Sequence, residues 1–464
     1  MAIVFIVVAS WKSGLGGTAY LGHPLSVDSE REQKKQMPDI IIIDGYEVPH
    51  PEDNAMLQAL YSRSPQSVTN HLEKIKQVGS GKFMDQYYIN FGHQSIGDCG
   101  TTTLYVEYVS MLAAKAIQDS PLYNGQEAST RYLDMSKQPV LNPLGTPEGK
   151  AIQDLWMEFY GSAMEPTIQH LHATYPLKEG EDAKQYEKAI KARAFDVLRS
   201  FLPAGCTTLV SWHTTLRHAA DHLNDLRHYP LAEVKGLADA MLTSLQERYP
   251  HSFGQKLYEA TERYLAEVGA SYFYDPGIIE TVLKANLDVR ALSQPVILNR
   301  PAKTRLPHYL DDLGQVTYEF LLDFGSFRDL QRHRNGVCRM PLLSTRWGFN
   351  PWYLEQLPPS LRDRAEILIG HQSLQIERLE ASPEEKQHYV AMGFNVPCKV
   401  TRGLPGTLYL IELRTSKTVH PTMRRVAQDM ARALQAKYPT LPIHADLSPD
   451  DWDIRRGAQD IVTR

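Results

Sequence analysis

Cysteine is scarce in this sequence and never occurs in closely spaced pairs. The four cysteines (Cys99, Cys206, Cys338 and Cys398) form no C-x-x-C pair, so neither a disulfide framework nor a zinc knot is expected. No apolar run reaches the ~18–20 residues that a membrane helix needs. These absences predict a protein of a reducing compartment without a metal site, and we expect a cytoplasmic location.

A surplus of positive charge is also missing. The chain has 49 Lys and Arg against 54 Asp and Glu, a formal net charge of −5. Nonspecific nucleic-acid binding favours a broad basic surface instead. The first ten residues, MAIVFIVVAS, are apolar but lack the basic leader of a secretory signal. We therefore expect neither a nucleic-acid nor a membrane partner, and any bound anion should be small and held locally.

The chain contains segments that resemble each other in the same order. Its 464 residues are too many for one small core. QEASTRYLDM (126–135) and PLLSTRWGFN (341–350) share Ser-Thr-Arg followed by an aromatic residue. Further on, KGLADAMLTSLQERYP (235–250) and RRVAQDMARALQAKYP (424–439) are identical at six of sixteen positions. Such ordered similarity indicates two diverged copies of one unit. The predicted organisation is an extension and two repeats: 1–37, 38–285 and 286–464.

Each repeat is expected to be a helix-rich α+β unit, and the two repeats together a pseudo-dimer. The segments 235–250 and 424–439 are amphipathic and stop at a proline, which does not continue a helix. Apolar residues at steps of three and four predict a long helix from His308 to His333, with a counterpart at 103–118. Short strands are predicted at three β-prone runs: IIIID (40–44), TTLVSW (207–212) and LYLIEL (408–413).

Arginine is concentrated in one stretch, DLQRHRNGVCRMPLLSTRWGFN (329–350). Guanidinium groups meet phosphate oxygens in a planar, bidentate way and remain charged. The stretch therefore predicts a local anion site, with a salt-bridge network as the structural alternative. Between Asp323 and the end of the stretch lie five arginines: Arg328, Arg332, Arg334, Arg339 and Arg346.

The motifs along the chain resemble those of the flavin-dependent thymidylate synthases. Arg-His-Arg at 332–334, followed by a Ser-x-Arg, is similar to the signature of that family. Further elements follow in family order. GHQS (92–95) resembles its Gly-His-x-Ser, RSFLP (199–203) its Arg-x-x-Leu-Pro, and DLR (225–227) and ELR (412–414) its Asn-Leu-Arg. The resemblance covers most of residues 40–440, counted over both repeats.

Each repeat keeps roughly the half of the signature that the other lacks. The first repeat has Asp119, Ser120 and Pro121 in place of Arg-His-Arg, but it keeps the Glu-x-Ser-x-Arg-Tyr element (Glu127, Ser129, Arg131 and Tyr132). The second repeat lacks the glutamate, and its Ser344 lies two residues later than the family spacing places it. We therefore predict one composite site, built from Arg332, His333, Arg334 and Arg424 of the second repeat and from His93, Ser95, Glu127, Ser129, Arg131 and Arg199 of the first.

The resemblance implies an activity and a role for each of these side chains. In the family, a methylene group passes from methylene-tetrahydrofolate to C5 of dUMP; FAD supplies the hydride and NADPH reduces the flavin. It also implies a homodimer acting as a pseudo-tetramer. The catalytic residues would be Arg332, Ser129, Arg131 and Arg424. FAD would be bound by His93, Ser95, Arg332, His333, Arg334, Glu127, Arg227 and Arg414. The nucleotide would be bound by Glu127, Ser129, Arg131, Arg199, Ser344, Arg346 and Arg424.

Two alternatives remain open at the level of sequence. The altered spacing between Arg334 and Ser344 reshapes the loop that would meet the nucleotide, so the reaction could be another flavin- and folate-dependent C5 modification, such as hydroxymethylation. The missing glutamate of the second repeat instead suits a non-catalytic flavin- or nucleotide-binding relative. Which nucleotide and which reductant serve the protein is not decided by these motifs.

Overall fold

The computed structural model describes residues 48, 50–64, 66–131, 133–277, 282–450 and 452. The predicted extension 1–37, the predicted strand 40–44 and Tyr132 lie outside these residues. Within them the strands form two antiparallel sheets, a two-stranded sheet β1-β2 and a four-stranded sheet in the order β3-β4-β6-β5. The strand bounds are β1 Thr101–Ser110, β2 Thr207–Thr215, β3 Val282–Ala285, β4 Gln315–Asp323, β5 Val337–Arg339 and β6 Asn395–Gly403.

Helices make up most of the remaining regular structure, which confirms the helix-rich α+β class. No helix in the described ranges is long and apolar enough to span a bilayer. The α-helices are α1 Pro51–Tyr61, α2 Val68–Val78, α3 Gly81–Phe83, α4 Met111–Gln118, α5 Pro147–Thr174, α6 Ala183–Leu198, α7 Leu216–Arg227, α8 Ala232–Arg248, α9 Glu259–Ala270, α10 Pro295–Leu298, α11 Phe324–Gln331, α12 Pro351–Glu355, α13 Pro359–Arg378, α14 Pro383–Lys386, α15 Leu404–Arg414 and α16 Pro421–Lys437. A π-helical turn spans Met84–Asn90, and 3-10 turns span Gln94–Cys99, Arg199–Phe201, Ala291–Ser293, His308–Leu313, Thr345–Trp347 and Gln387–Tyr389.

One succession of elements occurs twice along the chain. Strand β1 leads into α4 and pairs with β2, which leads into α7 and α8; strand β4 leads into α11 and pairs with β6, which leads into α15 and α16. The first helix starts alike in both cases. Ser110 caps α4 by accepting a hydrogen bond from the Ala113 amide, and Asp323 caps α11 by accepting one from the Ser326 amide. A tandem duplication would produce this order, and the repeat boundaries stay a prediction.

We call the described residues up to 277 the first half of the chain and those from 282 onward the second half. The two halves meet along a short backbone ladder inside one hydrophobic core. The Ala204 amide donates to the Val390 carbonyl, and the Met392 amide donates to the Leu202 carbonyl, both at 2.9 Å. Buried residues on both sides of this ladder belong to a single core cluster. The loop after α4 in the first half also contacts α11 of the second half, where Arg328 donates to Glu127.

The predicted long helix from His308 to His333 is wrong over most of its length. The chain forms a 3-10 turn, then β4, and only then the helix α11. Val316, Tyr318, Phe320 and Leu322 alternate with more exposed residues, so one face of the strand is buried. For the same reason the counterpart at 103–118 is a strand up to Ser110 and helical only afterwards.

Of the remaining secondary-structure predictions, three are confirmed and one is wrong. TTLVSW lies in β2, and the amphipathic segments at 235–250 and 424–439 form α8 and α16, so these predictions are confirmed. The strand predicted at 408–413 is wrong, because these residues belong to α15. Leu404, Leu408 and Ile411 are buried at steps of four and three, as one face of a helix requires.

Candidate functional site

A buried carboxylate from the first half is bound by the arginines of the second half. Glu127 follows the loop after α4 and forms a bridge with Val210 of β2. Its Oε1 accepts a hydrogen bond from Nη2 of Arg328, and its Oε2 accepts from Arg332 at 2.7 Å and from Gln118 at 2.8 Å. The Glu127 side chain is 0% exposed. A carboxylate buried so completely needs such paired cations to remain in place, and here the cations come from the other predicted repeat.

A second carboxylate residue, Asp329 on α11, is surrounded by three further arginines: Arg131, Arg199 and Arg414. Its Oδ2 lies 3.7 Å from Nη1 of Arg131 and 3.9 Å from Nη1 of Arg199. Arg414 donates to its carbonyl oxygen at 2.7 Å. Arg131 is also held by Asp196 at 2.5 Å. The Ser-x-Arg arginine of the first half is thus fixed between two carboxylates, one from each half.

The surrounding arginines change the pKa of the Asp329 carboxyl. Burial alone would raise the pKa of this carboxyl, but the surrounding guanidinium groups outweigh burial and lower it to about 2. Asp329 therefore stays ionised at every physiological pH. The groups responsible are Arg131, Arg199, Arg332 and Arg414.

A basic pocket of about 250 Å³ adjoins this network. Arg402 reaches it from β6 and donates to the carbonyl oxygens of Asn335 and His333. Burial, Arg414 and Arg402 lower the pKa of His333 to about 3, so its ring is neutral at pH 7. We call this cavity the arginine pocket; it is lined by Arg305, Arg332, His333, Arg334, Asn335, Arg402 and Tyr409.

Several buried guanidinium nitrogens of the arginine cluster have no hydrogen-bond partner among the described residues, and of their arginines only Arg402 lines the arginine pocket. Such orphaned donors are uncommon in native proteins and indicate a missing partner or ligand. Since each belongs to a cation, the missing partner is expected to be an acceptor or an anion. Among the described residues these atoms are the Nε atoms of Arg199, Arg328, Arg402 and Arg414.

Arg334 also bridges the two halves. Its guanidinium carbon lies 5.7 Å from the centre of the Tyr123 ring, and Nη1 donates to Asn124 at 3.4 Å. The last residue of Arg-His-Arg is therefore oriented by the loop that carries Glu127. Ser129, two residues beyond that glutamate, accepts a hydrogen bond from the Arg131 amide at 3.3 Å.

Two predicted site arginines are engaged elsewhere by protein groups. Arg424 is buried on α16, where it donates to the Thr415 carbonyl at 2.9 Å and lies 3.4 Å from Asp446. Arg227 lies 3.3 Å from Asp239. Both arginines have structural partners in this conformation, and their assigned functions stay predictions.

Four further predicted residues lie apart from the Glu127 cluster. His93 and Ser95 are exposed, and the His93 ring packs at 6.1 Å from those of Tyr87 and Phe91. Ser344 is half-buried before the turn Thr345–Trp347, and the Arg346 guanidinium lies over Trp347 at 4.7 Å. Within the described ranges none of the four forms a hydrogen bond, ion pair or ring contact with Glu127 or Arg332.

Some residues of the site were not predicted. Arg328 was visible as one of the clustered arginines, and its position four residues before Arg332 on one helical face was the available signal. Asp329 begins the arginine-rich stretch, for which a salt-bridge network was the structural alternative. Arg305 and Arg402 lie outside the motif, and only the fold brings them to the pocket.

Comparison with known proteins gives a family match within the first half of the chain. Residues 46–251 match the family model described as "Thymidylate synthase complementing protein". This span contains Glu127, Arg131 and Arg199 and ends before Arg-His-Arg.

Over most of its length the chain is similar to UPF0159 proteins. It is 25% identical to that of Chlamydia muridarum over 420 residues, covering 75% of this chain and 78% of the relative. It is 23% identical to that of Chlamydia pneumoniae over 418 residues (75% and 77%) and 21% identical to that of Thermoplasma acidophilum over 476 residues (84% and 94%). Over residues 46–251 the chain is therefore similar to a domain of the thymidylate synthase complementing protein family.

Proposed function

We propose that this protein is an FAD-dependent thymidylate synthase-type methyltransferase with one composite site per chain. The observation that carries the proposal is the contact of Glu127, within the matched range 46–251, with Arg328 and with Arg332, the first residue of Arg-His-Arg. Each half alone has an incomplete signature, whereas together the two halves place the glutamate, the Ser-x-Arg and the Arg-His-Arg side by side.

The arginine pocket fits the charge of the cofactor. FAD carries a diphosphate, and Arg332, Arg334 and Arg402 present guanidinium groups that suit phosphate oxygens. When bound, the flavin supplies the hydride-transfer chemistry, and NADPH and methylene-tetrahydrofolate serve as co-substrates. The chain's own task is to bind and orient these anionic molecules.

The arginines held by Asp329 have the charge and the fixed positions that binding of the nucleotide requires. Arg131 and Arg199 are fixed by carboxylates and need little reorganisation, which is how preorganised charges stabilise a developing anion. Negative charge develops in the uracil ring during attack from C5, and these guanidinium groups would stabilise it. Neutral His333 can form hydrogen bonds to the flavin without adding charge.

A cysteine nucleophile is not part of this proposal. Burial raises the pKa of Cys338, which lies beside Arg-His-Arg, to about 12. The same effect raises the pKa of Cys206 to about 12. Thiols of this kind remain protonated at pH 7 and are poor nucleophiles. The chemistry therefore rests on cations and the flavin, and we further propose that two chains assemble into a pseudo-tetramer.

A nucleotide-binding relative without turnover is the second candidate. It is favoured by the saturation of Glu127, whose two oxygens already accept hydrogen bonds from Arg328, Arg332 and Gln118. A carboxylate so engaged could serve only to hold the halves together. Another flavin- and folate-dependent C5 modification, such as hydroxymethylation, is distinguished by its product.

The test begins with a titration of FAD, followed by absorbance, and continues with turnover of dUMP and methylene-tetrahydrofolate. Arg332→Ala and Arg131→Ala lie in different halves, and each should abolish turnover. The matched control is Arg263→Ala, which removes an exposed arginine paired with Glu259 on α9. If the protein has no affinity for FAD, or if only the second-half variant matters, the composite synthase is refuted. If nucleotide binds while reduced folate is left unconsumed, the second candidate is supported.

A further inference from the structure

The first half has a cavity at the place that corresponds to the arginine pocket, but its charge is of the opposite sign. The arginine pocket lies where α11 ends, and Tyr409 of α15 lines it. In the first half, where α4 ends beside α7, lies a cavity of about 410 Å³. We call it the acidic cavity; its carboxylates and histidines are Asp119, Asp221, Asp225, His218, His222 and His228.

The cations of the protein compensate these carboxylates unequally. Asp119 is paired with Lys115 at 2.8 Å. Asp221 lies 3.9 Å from Arg217, but Asp98 binds the same guanidinium group more closely, at 2.6 Å. Asp221 therefore keeps most of its negative charge uncompensated.

Asp225 adds a second uncompensated charge. Within the described residues its side chain has neither an ion pair nor a hydrogen bond, and burial raises the pKa of its carboxyl. Asp221 and Asp225 are both exposed, and they lie four residues apart on α7. Because residues at this spacing are neighbours on one helix face, the two carboxylates form an acidic mouth of the cavity.

A buried histidine of the cavity has an acceptor atom without a partner. His222 is 9% exposed, and its Nε2 donates to the Ile117 carbonyl at 3.1 Å. Burial lowers the pKa of the ring, so Nδ1 carries a lone pair at pH 7. No hydrogen bond from the described residues reaches Nδ1, and this atom is not among the fully enclosed polar atoms. It therefore faces the cavity as an acceptor for a ligand that donates a hydrogen bond.

The wall of the acidic cavity already stabilises one alkylammonium group. Nζ of Lys115 lies 2.8 Å from Asp119 and 4.8 Å from the centre of the Tyr272 ring, and both of these residues line the cavity. Burial lowers the pKa of this amine, but Asp119 and Tyr229 outweigh burial and raise it above its ordinary value. Within the described ranges no group of three or more His, Cys, Asp and Glu side chains is placed to hold a metal ion. An organic cation therefore suits the cavity better than a divalent metal.

We propose that the acidic cavity binds an aliphatic polyamine, a chain of methylene groups that joins two or more ammonium groups. One ammonium group donates a hydrogen bond to Nδ1 of His222, and another lies at the carboxylates of Asp221 and Asp225. The methylene groups pack against apolar side chains, as the stems of lysine side chains do. The apolar side chains of the lining include Leu226, Leu265 and Val268.

Calorimetric titration of the whole protein with putrescine and with spermidine tests the proposal. Methylammonium lacks the chain, 1,4-butanediol lacks the charge, and MgCl₂ supplies a divalent metal, so these three serve as ligand controls. The variants are Asp225→Asn and His222→Phe. The matched control is Asp154→Asn, which removes an exposed carboxylate on α5 that is paired with Lys150.

We expect one polyamine to bind per chain. Asp225→Asn should weaken binding about 1.5- to 5-fold, the usual effect of losing an exposed ion pair. His222→Phe keeps a ring but loses the acceptor, and it should weaken binding roughly 10- to 150-fold, as expected for a hydrogen bond to a charged group. Asp154→Asn should bind polyamine as the wild-type protein does.

The ¹⁵N chemical shift of Nδ1 in the wild-type protein gives a second measurement that does not depend on the folding of His222→Phe. It should move when spermidine is added. The proposal is overturned by an unmoved shift, by a wild-type protein that binds no polyamine, or by equal weakening in Asp225→Asn and Asp154→Asn. Methylammonium, butanediol or Mg²⁺ binding as tightly as spermidine would overturn it as well. None of the residues lining the acidic cavity lines the arginine pocket, so polyamine binding and flavin binding can each fail alone.

Discussion

Replacing Glu127 by glutamine tests how strongly the two halves are joined at the arginines. The substitution keeps the shape of the side chain and removes its negative charge. Arg328 is 4% exposed, and its other described contacts are the sulfur atoms of Met111 at 3.1 Å and Met392 at 3.2 Å. A thioether is only a weak acceptor, so no neighbouring group can take over the role of the carboxylate.

The expected loss is large because one cation remains buried. Neutralising one partner of a buried ion pair costs ~3–5 kcal/mol. The contact to Arg332 adds little, since that side chain is 41% exposed. An unfolding entropy of ~2.1 cal/mol/K per residue gives the 464-residue chain roughly 1 kcal/mol/K. The melting temperature of Glu127→Gln should therefore fall by about 3–5 °C in differential scanning calorimetry.

The control is Glu259→Gln, at a carboxylate that is 90% exposed and paired with Arg263. Its melting temperature should equal that of the wild-type protein. If Glu127→Gln also melted at the wild-type temperature, the buried contact between the halves would not stabilise the fold, and the reasoning from burial would be refuted.

Four other outcomes follow from the same contacts. Gln118→Leu should destabilise the protein by ~1–3 kcal/mol in urea because it removes the hydrogen bond that Gln118 donates to the buried Glu127 carboxylate. The pKa of Asp329 is lowered from 3.8 to about 2, so its stabilisation is complete above pH 3.8 and is lost as the pH falls towards 2. Between pH 3.8 and about 2, the free energy of unfolding measured in urea should therefore fall more steeply with decreasing pH for the wild type than for Asp329→Asn, by up to ~1.4 kcal/mol per pH unit. His333, with a pKa of about 3, should show no titration of its ring ¹⁵N shifts between pH 5 and 8, and a midpoint near 6.5 would contradict its burial. Calorimetry with inorganic pyrophosphate should give one site per chain, and two sites would refute a single arginine pocket.

The error at β4 shows what local patterns can and cannot decide. Val316 and Phe320 are four residues apart, and that spacing puts two side chains on one face both in a helix and in a strand. The discriminating signal was the alternation that Tyr318 and Leu322 complete, which only a strand explains. The pairing of β4 with β6 joins segments about eighty residues apart, and no local pattern of either segment specifies it.

Site residues that belong to sequence motifs could be predicted. Residues that only the tertiary fold brings to the site could not. Arg332 and Glu127 were both expected from the resemblance, and the structure places them 2.7 Å apart. Arg402 could not be found in this way, because its position in the pocket depends on the register of β6 against β5 and on the carbonyl oxygens it meets.

The charges of the two halves explain why a single anion site per chain is expected. The helix α11 and its end carry Arg328, Arg332 and Arg334, and the equivalent positions after β1 are Lys115, Asp119 and Pro121. Lys115 is neutralised by Asp119 at 2.8 Å, so this end offers a phosphate no uncompensated cation. The neighbouring cavity of about 410 Å³ is lined by further carboxylates, Asp221 and Asp225. Anions are therefore repelled from one end and attracted to the other, which is the charge distribution that the proposed single composite site requires.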